Sequence, residues 1–459
     1  MLYALLRSIA GIALRWFYRR VDVEGLDRLP RKAPTLLVVN HPNALVDALL
    51  VGWAMPRRIV LTAKSTLFTN PAFARFLTWV GVVPLVRSKD VRASAQEAID
   101  PRRNARSFDA LRGVLRRGGA VVVFPEGISH DNPSLAPLRT GAARIALEAR
   151  DEGGVHGLQI VPVGLIFERK QTPRTRVLVQ VGEPIVLDRW AVTGDHAVSA
   201  LTEEIDARLR SVTQNYETVD DASRAAALSA LLAALFQNEP PSVGSSHSLH
   251  VDISIARRID EARRGLTRAD DRLRARTDAL LRSLATFEDR LALHRVALED
   301  ISVSAEPRFA APFVLRESWV LAIAGPIALW GTINHWLPFH GARIIARRSI
   351  ESASDPAMRT IVAGAGLVLA FYLAQGALVA WLAGWLAAIA YVASLPLAAD
   401  VNFLFRERLR RAVRRARTYL LFRRRPRLHA QLQSDLQRLR SEALDIEGLL
   451  REVSVSEAV

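Results

Sequence analysis

A histidine and an aspartate lie six positions apart, where a strand-like segment gives way to a helix-like one. His41 follows the apolar run T-L-L-V-V, and Pro42 after it has no N–H to continue a strand. The next residues, A-L-V-D-A-L-L-V-G-W, are typical of a helix that carries Asp47 in its first two turns. An imidazole accepts a proton from an alcohol near neutral pH, and a carboxylate on its other nitrogen fixes the tautomer. The pair indicates a general base, with a helix-capping histidine as the alternative.

A second stretch ends an apolar strand on a permanent cation. In G-V-V-P-L-V-R the arginine is Arg87, and a cation at the end of an apolar strand is costly unless it meets an anion. A ligand phosphate is one partner, and nearby Asp90 is the alternative. The same stretch begins with A-K-S-T-L-F, which contains Lys64.

A third stretch, V-V-V-F-P-E-G-I-S-H-D, stops a buried strand at Pro125 and places Glu126 at its end. Gly127 permits a turn whose N–H groups can face a ligand. Further on, Arg139 precedes an apolar helix. A basic residue there opposes the helix dipole and gains most from a bound anion, although an ordinary surface arginine is the alternative. Ser129, His130 and their polar neighbours are interpreted as turn residues.

Strand-like and helix-like runs alternate over residues 31–187. The predicted strands are Thr35–Asn40, Arg58–Ala63, Val80–Val86, Ala120–Phe124, Leu158–Phe167 and Arg176–Leu187. The predicted helices lie near 43–54, 71–80, 105–117, 140–151 and 198–214. This alternation predicts an α/β domain with a mostly parallel or mixed sheet and chemistry at the strand ends. The sequence has no Gly-x-Gly-x-x-Gly, P-loop or Gly-x-Ser-x-Gly motif, which argues against dinucleotide binding, ATP hydrolysis and a serine-hydrolase elbow.

The composition limits the classes of binding partner and of chemistry that the chain can have. The chain has 459 residues, a net charge of +16 and no cysteine. The charge favours an anionic partner, either nucleic acid or a membrane surface. The lack of cysteine excludes disulfides, thiolate nucleophiles and Cys-ligated zinc, and it fits a reducing compartment.

The first twenty residues carry Arg7 and Arg15 within an apolar run, which argues against a cleavable signal peptide. They predict an interfacial helix with Trp16, Phe17 and Tyr18 at the level of lipid headgroups. A buried core helix is the alternative.

The second half of the chain is helical and partly membrane-like. Ser242–Ser248 reads as part of a linker near 239–248. Two charge-rich helical stretches, Ile253–Leu298 and Leu428–Val453, can pair as an antiparallel coil or lie as independent surface helices.

The most apolar stretch is Ile361–Ala398, which carries no charge. Its length predicts a transmembrane hairpin that turns near Gln375-Gly376, with one long tilted helix as the alternative. Trp319–Phe339 is interrupted by Pro326 and Gly331, so we expect it to lie in the interface or to re-enter. Arg406–Arg427 holds eleven arginines and one glutamate, which predicts contact with anionic headgroups on the cytoplasmic side. No nucleic-acid motif accompanies it, so a nucleic-acid partner is disfavoured.

The motifs N-H-P-N-x-x-x-D, G-V-V-P-L-V-R, F-P-E-G-I-S-H and I-V-P-V-G-L, in this order, resemble those of the glycerophospholipid acyltransferase family, which includes 1-acylglycerol-3-phosphate acyltransferases. The resemblance covers about residues 30–190. It implies that His41 is the general base and Asp47 its partner. It further implies an acceptor-phosphate site at Arg87 and Phe124–Gly127, and an acyl-donor site that includes Pro162. Further motif positions are Asn40, Pro42, Asn43, Lys64, Phe124, Pro125 and Ser129.

Five residues separate His41 from Asp47, whereas the family usually has four. This form, with F-P-E-G-x-S-H-D and P-L-x-x-G-A, looks more like the fungal-type glycerol-3-phosphate and dihydroxyacetone-phosphate acyltransferases and their bacterial relatives. Where the family has a Lys before Gly-Ala, this chain has Thr140, with Arg139 beside it. The preferred acceptor is therefore glycerol 3-phosphate, with lysophosphatidate as the alternative.

The resemblance and the apolar segments together predict a membrane-bound O-acyltransferase of the cytoplasmic membrane, with its catalytic domain on the cytosolic face. The donor is acyl-CoA or acyl-carrier protein, and neither cofactor nor metal is expected. The alternatives are a non-catalytic membrane scaffold that keeps the fold, and an enzyme for a different lipid acceptor. The predicted regions are an interfacial helix (1–30), a catalytic domain (31–190), a helical region (191–310), a membrane region (311–400) and a basic segment with a C-terminal helix (401–459).

Overall fold

The computed structural model describes residues 2–85, 101–170, 172–218, 271–304, 306–348 and 356–456. The chain forms two compact units. One comprises Met1–Ala222 and Gly341–Gly366, and the other comprises Ser223–His340 and Leu367–Val459.

The N-terminal half combines a sheet with flanking helices. Its strands are β1 (Arg20–Glu24), β2 (Thr35–Val39), β3 (Ile59–Lys64), β4 (Val83–Leu85), β5 (Ala120–Val123), β6 (Gln159–Phe167), β7 (Arg176–Val181) and β8 (Ile185–Val186). Its helices are α1 (Leu2–Phe17), α2 (Ala44–Ala54), α3 (Pro71–Val80), α4 (Pro101–Arg116), α5 (Gly141–Asp151) and α6 (Ala197–Val212).

The sheet has the strand order β1-β7-β6-β2-β5-β3-β4, and β8 pairs with β6. Strand β2 runs parallel to both neighbours, with Leu36 opposite Val121 of β5 and Ile160 of β6. Strands β3 and β4 continue the parallel part, whereas β7 and β8 are antiparallel to β6. The predicted mixed, mostly parallel sheet is confirmed. Because parallel strands end at one edge, the residues that follow β2 and β5 come together there.

Both faces of the central strands are buried, which explains their unbroken apolar sequences. On one face, Leu36 packs with Leu115 of α4 and Ile145 of α5. On the other, Leu37 packs with Val51 and Met55, at the end of α2. Alternate residues of one strand thus fill two cores, and the second core packs the end of α2 against the sheet.

The predicted strands are present, with shifted boundaries. The segment Arg176–Leu187 is two strands, because Pro184 lacks the N–H that a continuous ladder needs. Of the segment Val80–Val86, the described residues 80–85 hold the short β4 alone, because α3 extends to Val80. Strand β1 was not predicted, since R-V-D-V-E is short and rich in charge.

The N-terminal helix α1 is buried at its C-terminal end and has an exposed apolar face along the rest of its length. Its last turn packs Leu14 and Phe17 against Leu50 of α2, and Tyr18 is buried in the same cluster. The expectation that Phe17 and Tyr18 lie at the headgroup level is therefore wrong. On the exposed face, large apolar side chains stand at Leu5, Ile9 and Ile12. An interfacial position for this face stays a prediction.

The helices after residue 270 are α7 (Asp271–His294), α8 (Pro307–Arg348), α9 (Pro356–Ala383), α10 (Trp385–Arg424) and α11 (Pro426–Ser456). Helices α7 and α11 share an apolar seam that includes Leu284 and Leu439. The side chains of Arg290 and Asp435 meet at 2.5 Å, and those of Arg276 and Asp445 at 3.9 Å. The paired positions run in opposite directions, so the predicted antiparallel coil is confirmed over these helices.

Three helices within the described ranges are long and apolar enough to cross a membrane: Ala310–Ile345, Thr360–Ala383 and Trp385–Arg424. The hairpin between α9 and α10 turns at Gly384, where φ is +86°. The predicted turn at Gln375-Gly376 is wrong, because both residues lie inside α9. The predicted interruption of Trp319–Phe339 is also wrong, since α8 continues through Pro326.

The residues that were predicted to break α8 contact other helices instead. A Cβ on Gly331 would overlap the carbonyl oxygen of Ala398 in α10, so glycine permits this close approach. The side-chain oxygen Oδ1 of Asn334 accepts a hydrogen bond from the Tyr391 hydroxyl at 2.6 Å. His335 Nε2 lies 2.7 Å from the Tyr372 hydroxyl of α9. These contacts join α8 to both arms of the hairpin.

Candidate active site

The structure brings the predicted histidine and aspartate into direct contact. His41 follows the end of β2, and Asp47 lies in the first turn of α2. His41 Nδ1 and Asp47 Oδ2 are 2.9 Å apart, and the same oxygen accepts the Asn43 backbone N–H at 2.7 Å. Because Nδ1 is engaged, Nε2 is the ring nitrogen that can accept a proton.

The long spacer between the two residues is accommodated by a sharp turn. Ala44 adopts a φ of +47°, in the left-handed region that residues other than glycine rarely occupy. Its N–H donates to Ser129 Oγ at 3.0 Å, and α2 begins at this residue. The fifth residue of the spacer therefore does not separate the imidazole from the carboxylate.

Asp47 is fully buried. Burial raises the pKa of the Asp47 carboxyl above its usual range, while the hydrogen bond and charge of His41, the Asn43 N–H and the charge of Lys170 act in the opposite direction. The ionised form thus depends on a few specific neighbours.

Glu126 points inward and accepts hydrogen bonds from both loops around it. Its Oε1 accepts the His41 backbone N–H at 2.6 Å, and its Oε2 accepts the Ala136 N–H at 2.9 Å and contacts His130 Nε2. This carboxylate is buried, and both of its oxygens have hydrogen-bond partners within the protein. Its predicted role at the acceptor phosphate stays a prediction.

Ser129 and His130 do more than form a turn. Besides the Ser129 bond to Ala44, His130 Nδ1 accepts the Asn132 N–H at 3.1 Å, which leaves the proton on Nε2 to face Glu126. The loop after β5 therefore holds the loop after β2 at two points.

The remaining motif residues have supporting positions. Asn40 exchanges two hydrogen bonds with the backbone of Leu165, at 2.7 and 3.0 Å, and so extends the pairing of β2 with β6. Phe124 stacks on the His41 ring with centroids 4.1 Å apart. Pro125 is buried, and its carbonyl accepts the Arg139 N–H at 2.8 Å. Pro162 is buried within β6, and its role in donor binding stays a prediction.

Some of the basic residues that could bind phosphate lie within the described residues. Arg87 lies outside the described residues. Lys64 is exposed at the end of β3, beside the end of β4. Arg139 is exposed just before α5, and its side chain lies so close to Gly127 that a Cβ there would be 2.8 Å from Nε. Gly127 has a φ of +69°, which also favours glycine.

Two residues near the pair were missed in the sequence. Tyr18 is fully buried, and its hydroxyl accepts a hydrogen bond from Asn43 Nδ2 at 3.2 Å. Lys170, in the turn after β6, donates to the Pro42 carbonyl at 3.2 Å. The available signal was weak: Lys170 is one of only four lysines, and it follows a strand end near the fourth motif.

A histidine paired with a buried aspartate at the carboxyl edge of a mostly parallel sheet is an arrangement typical of active sites. Residues 20–166 match the sequence model of the Acyltransferase family. The N-terminal part of the chain is therefore similar in sequence to acyltransferase domains.

Two curated proteins are similar to part of the chain. Glycerol-3-phosphate O-acyltransferase 2 of Saccharomyces cerevisiae is 35% identical over 122 residues, which are 26% of this chain and 16% of that protein. The chloroplastic 1-acyl-sn-glycerol-3-phosphate acyltransferase BAT2 of Brassica napus is 27% identical over 165 residues, 36% of this chain and 42% of that protein. The chain thus spans less than half of the length of these relatives.

A solved structure also matches. It is the 1-acyl-sn-glycerophosphate (LPA) acyltransferase PlsC from Thermotoga maritima, with 20% sequence identity and a TM-score of 0.33. The match covers 45% of this chain and 78% of that chain.

Proposed function

We propose that this protein is a membrane-bound O-acyltransferase that transfers a fatty acyl group from a thioester to the hydroxyl of a glycerol phosphate. The observation that carries the proposal is the 2.9 Å contact between His41 Nδ1 and Asp47 Oδ2 at the carboxyl edge of the sheet. The family match over residues 20–166 supports the reaction class.

The chemistry needs a base, and the geometry supports one. His41 Nε2 takes the proton of the acceptor hydroxyl as its oxygen attacks the thioester carbonyl carbon. The new C–O bond forms, the C–S bond breaks, and the imidazolium returns its proton to the departing thiolate. Asp47 stays ionised and stabilises the imidazolium throughout. The proton that leaves the hydroxyl ends on the thiol, and the C–O bond that forms replaces the C–S bond that breaks. No covalent acyl-enzyme is required.

The acceptor is proposed to be glycerol 3-phosphate, with lysophosphatidate and dihydroxyacetone phosphate as the alternatives. The yeast relative is named for glycerol 3-phosphate, and the plant relative is named for 1-acylglycerol 3-phosphate, which is lysophosphatidate. Arg87 and Arg139 are the proposed phosphate ligands, since an arginine fork matches phosphate oxygens. The donor is acyl-CoA or acyl-carrier protein.

A catalytically silent scaffold is the competing function, because the spacer between His41 and Asp47 is one residue longer than usual in the family. The bonded geometry of the pair, reached through the turn at Ala44, favours the enzyme.

The membrane attachment is proposed to be to the cytoplasmic membrane, with the catalytic domain on the cytosolic side. Three apolar helices support attachment, and the arginines of Arg406–Arg427 favour the cytosolic face and anionic lipids. We propose that α9 and the apolar half of α10 cross as a hairpin. The hairpin places those arginines on the side from which α9 enters, and we propose that this is the cytosolic side.

The test is an acyl-transfer assay on the full chain in phospholipid nanodiscs. Acyl-CoA and acyl-carrier protein donors are crossed with glycerol 3-phosphate, dihydroxyacetone phosphate and lysophosphatidate, and the ester product is measured. Ester formed from glycerol 3-phosphate is the expected result. Ester formed only from lysophosphatidate or only from dihydroxyacetone phosphate would replace the proposed acceptor, and no ester from any pair would favour the scaffold.

A further inference from the structure

Four segments of the chain meet at Asn43, directly behind the His41–Asp47 pair. Asn43 is 1% exposed. Its backbone N–H donates to Asp47, and its side-chain amide donates to the Tyr18 hydroxyl and to the Lys170 carbonyl, each at 3.2 Å. The amide therefore ties the loop after β2 to the end of α1 and to the turn after β6.

The Lys170 ammonium adds a second tie in the same place. It donates to the carbonyl oxygens of Pro42 at 3.2 Å and His130 at 3.1 Å, and it forms an ion pair with Asp131. An ammonium has three protons, and these three acceptors use all of them. One side chain thus joins the loop after β2, the loop after β5 and the turn after β6.

The loop from Asn40 to Asn43 has reason to need such ties. Residues 40–43 lie between β2 and α2, outside both elements, and they lead into the left-handed turn at Ala44, a conformation that costs about 1–2 kcal/mol for a residue with a Cβ. Contacts from outside the loop must offset this cost to keep His41 against Asp47.

We propose that Lys170 and Tyr18 are positioning residues that hold the His41–Asp47 pair in its bonded geometry. Neither residue belongs to the four sequence motifs. The inference rests on the proposed acyl transfer for its kinetic test, but it also predicts a physical coupling that exists without substrate.

The charge of Lys170 gives the proposal a pH signature. The groups that face Asp47 are His41 and Asn43 of its own loop, Tyr18 after α1, and Lys170 after β6. The Lys170 charge lowers the pKa of Asp47, so its removal raises that pKa. Asp47 then takes up a proton at a higher pH, and the acid side of the pH–rate profile moves upward.

The experiment compares Lys170→Met with Lys170→Arg, which keeps the charge. Arg169→Met removes the same charge from the neighbouring exposed position and is the matched control. We expect Lys170→Met to move the acid limb of kcat/KM upward by about 0.5 pH unit or more. The limb should stay in place for Lys170→Arg and Arg169→Met. A wild-type profile for Lys170→Met, or an equal shift for Arg169→Met, overturns the proposal.

Tyr18→Phe tests the second tie. It removes only the hydroxyl that accepts from Asn43, so we expect kcat to fall several-fold while both KM values stay unchanged. Unchanged kcat, or a change confined to KM, contradicts a positioning role.

A double-mutant cycle separates this inference from the proposed function, because it needs no turnover. Melting temperatures are measured for Lys170→Met and Asp47→Asn, singly and together, at pH 7.5. If Lys170 acts on the Asp47 charge, the loss caused by Lys170→Met shrinks in the Asp47→Asn background. Additive losses overturn the coupling, whatever the acyl-transfer assay gives.

Discussion

Replacing Glu126 with glutamine separates two roles for a motif carboxylate. Glu126 accepts two backbone N–H groups, from His41 and Ala136, and contacts the protonated nitrogen of His130. Glutamine offers one oxygen and one NH₂ group. Whichever way the amide turns, at least one buried N–H donor then faces another donor.

The expected size follows from these contacts. A hydrogen bond to a charged acceptor contributes about 1.5–3 kcal/mol, and about 1.4 kcal/mol corresponds to a tenfold change in rate. If one such bond is lost from the support of His41, kcat falls by about 10- to 150-fold. The acceptor KM stays within a few-fold of the wild-type value, because Glu126 is enclosed by protein donors.

The assay is steady-state acyl transfer with the acceptor varied at saturating donor. Glu203→Gln, on the exposed face of α6, is the control for loss of one negative charge. A rise in acceptor KM at unchanged kcat would refute a supporting role for Glu126 and favour its contact with the acceptor.

Three further predictions concern other parts of the chain. Ala44→Gly keeps activity and does not lower the melting temperature, whereas Ala44→Val lowers both, because a β-branched residue resists a φ of +47°; an inactive glycine variant would contradict this. Gly331→Ala lowers the melting temperature by several degrees, whereas Gly325→Ala does not, since only the first Cβ meets backbone; equal effects would contradict close packing there. Cysteines introduced one at a time at Trp385 and Ser434 of this cysteine-free chain give labelling by an impermeant thiol reagent in intact cells at 385 alone; labelling at 434 would contradict two crossings.

Local sequence patterns predicted the catalytic half well. Thr35–Val39 is apolar at every position and is followed by Pro42, so both the strand and its end could be read directly. The same reasoning placed His41 and Asp47 together. It could not decide whether the five-residue spacer kept them in contact, because that depends on the backbone of Ala44.

Contacts between segments that are distant in the chain could not be predicted from the sequence. Lys170 is more than a hundred residues from Pro42, and only the pairing of β6 with β2 brings them together. Glu126 was interpreted as a ligand contact, since its backbone donors on neighbouring loops were not visible.

The ends of the apolar helices were harder to predict than the strands. The sequence predicts breaks at Gly376 and Pro326, but both residues lie inside helices and the hairpin turns at Gly384. A Cβ on Gly376 would lie 2.9 Å from Val392, so this glycine serves packing between the two arms of the hairpin. Pro326 is tolerated inside α8, as prolines are in apolar helices whose neighbours re-satisfy the backbone.

The most direct test of the central claim is the turnover of His41→Ala with glycerol 3-phosphate and the better acyl donor. His156→Ala, in an exposed loop before β6, is the matched control, and melting temperatures verify that both variants fold. The proposed base predicts that His41→Ala loses about 100-fold or more in kcat while His156→Ala keeps wild-type turnover. A folded His41→Ala variant with near-normal turnover would contradict general-base catalysis by His41.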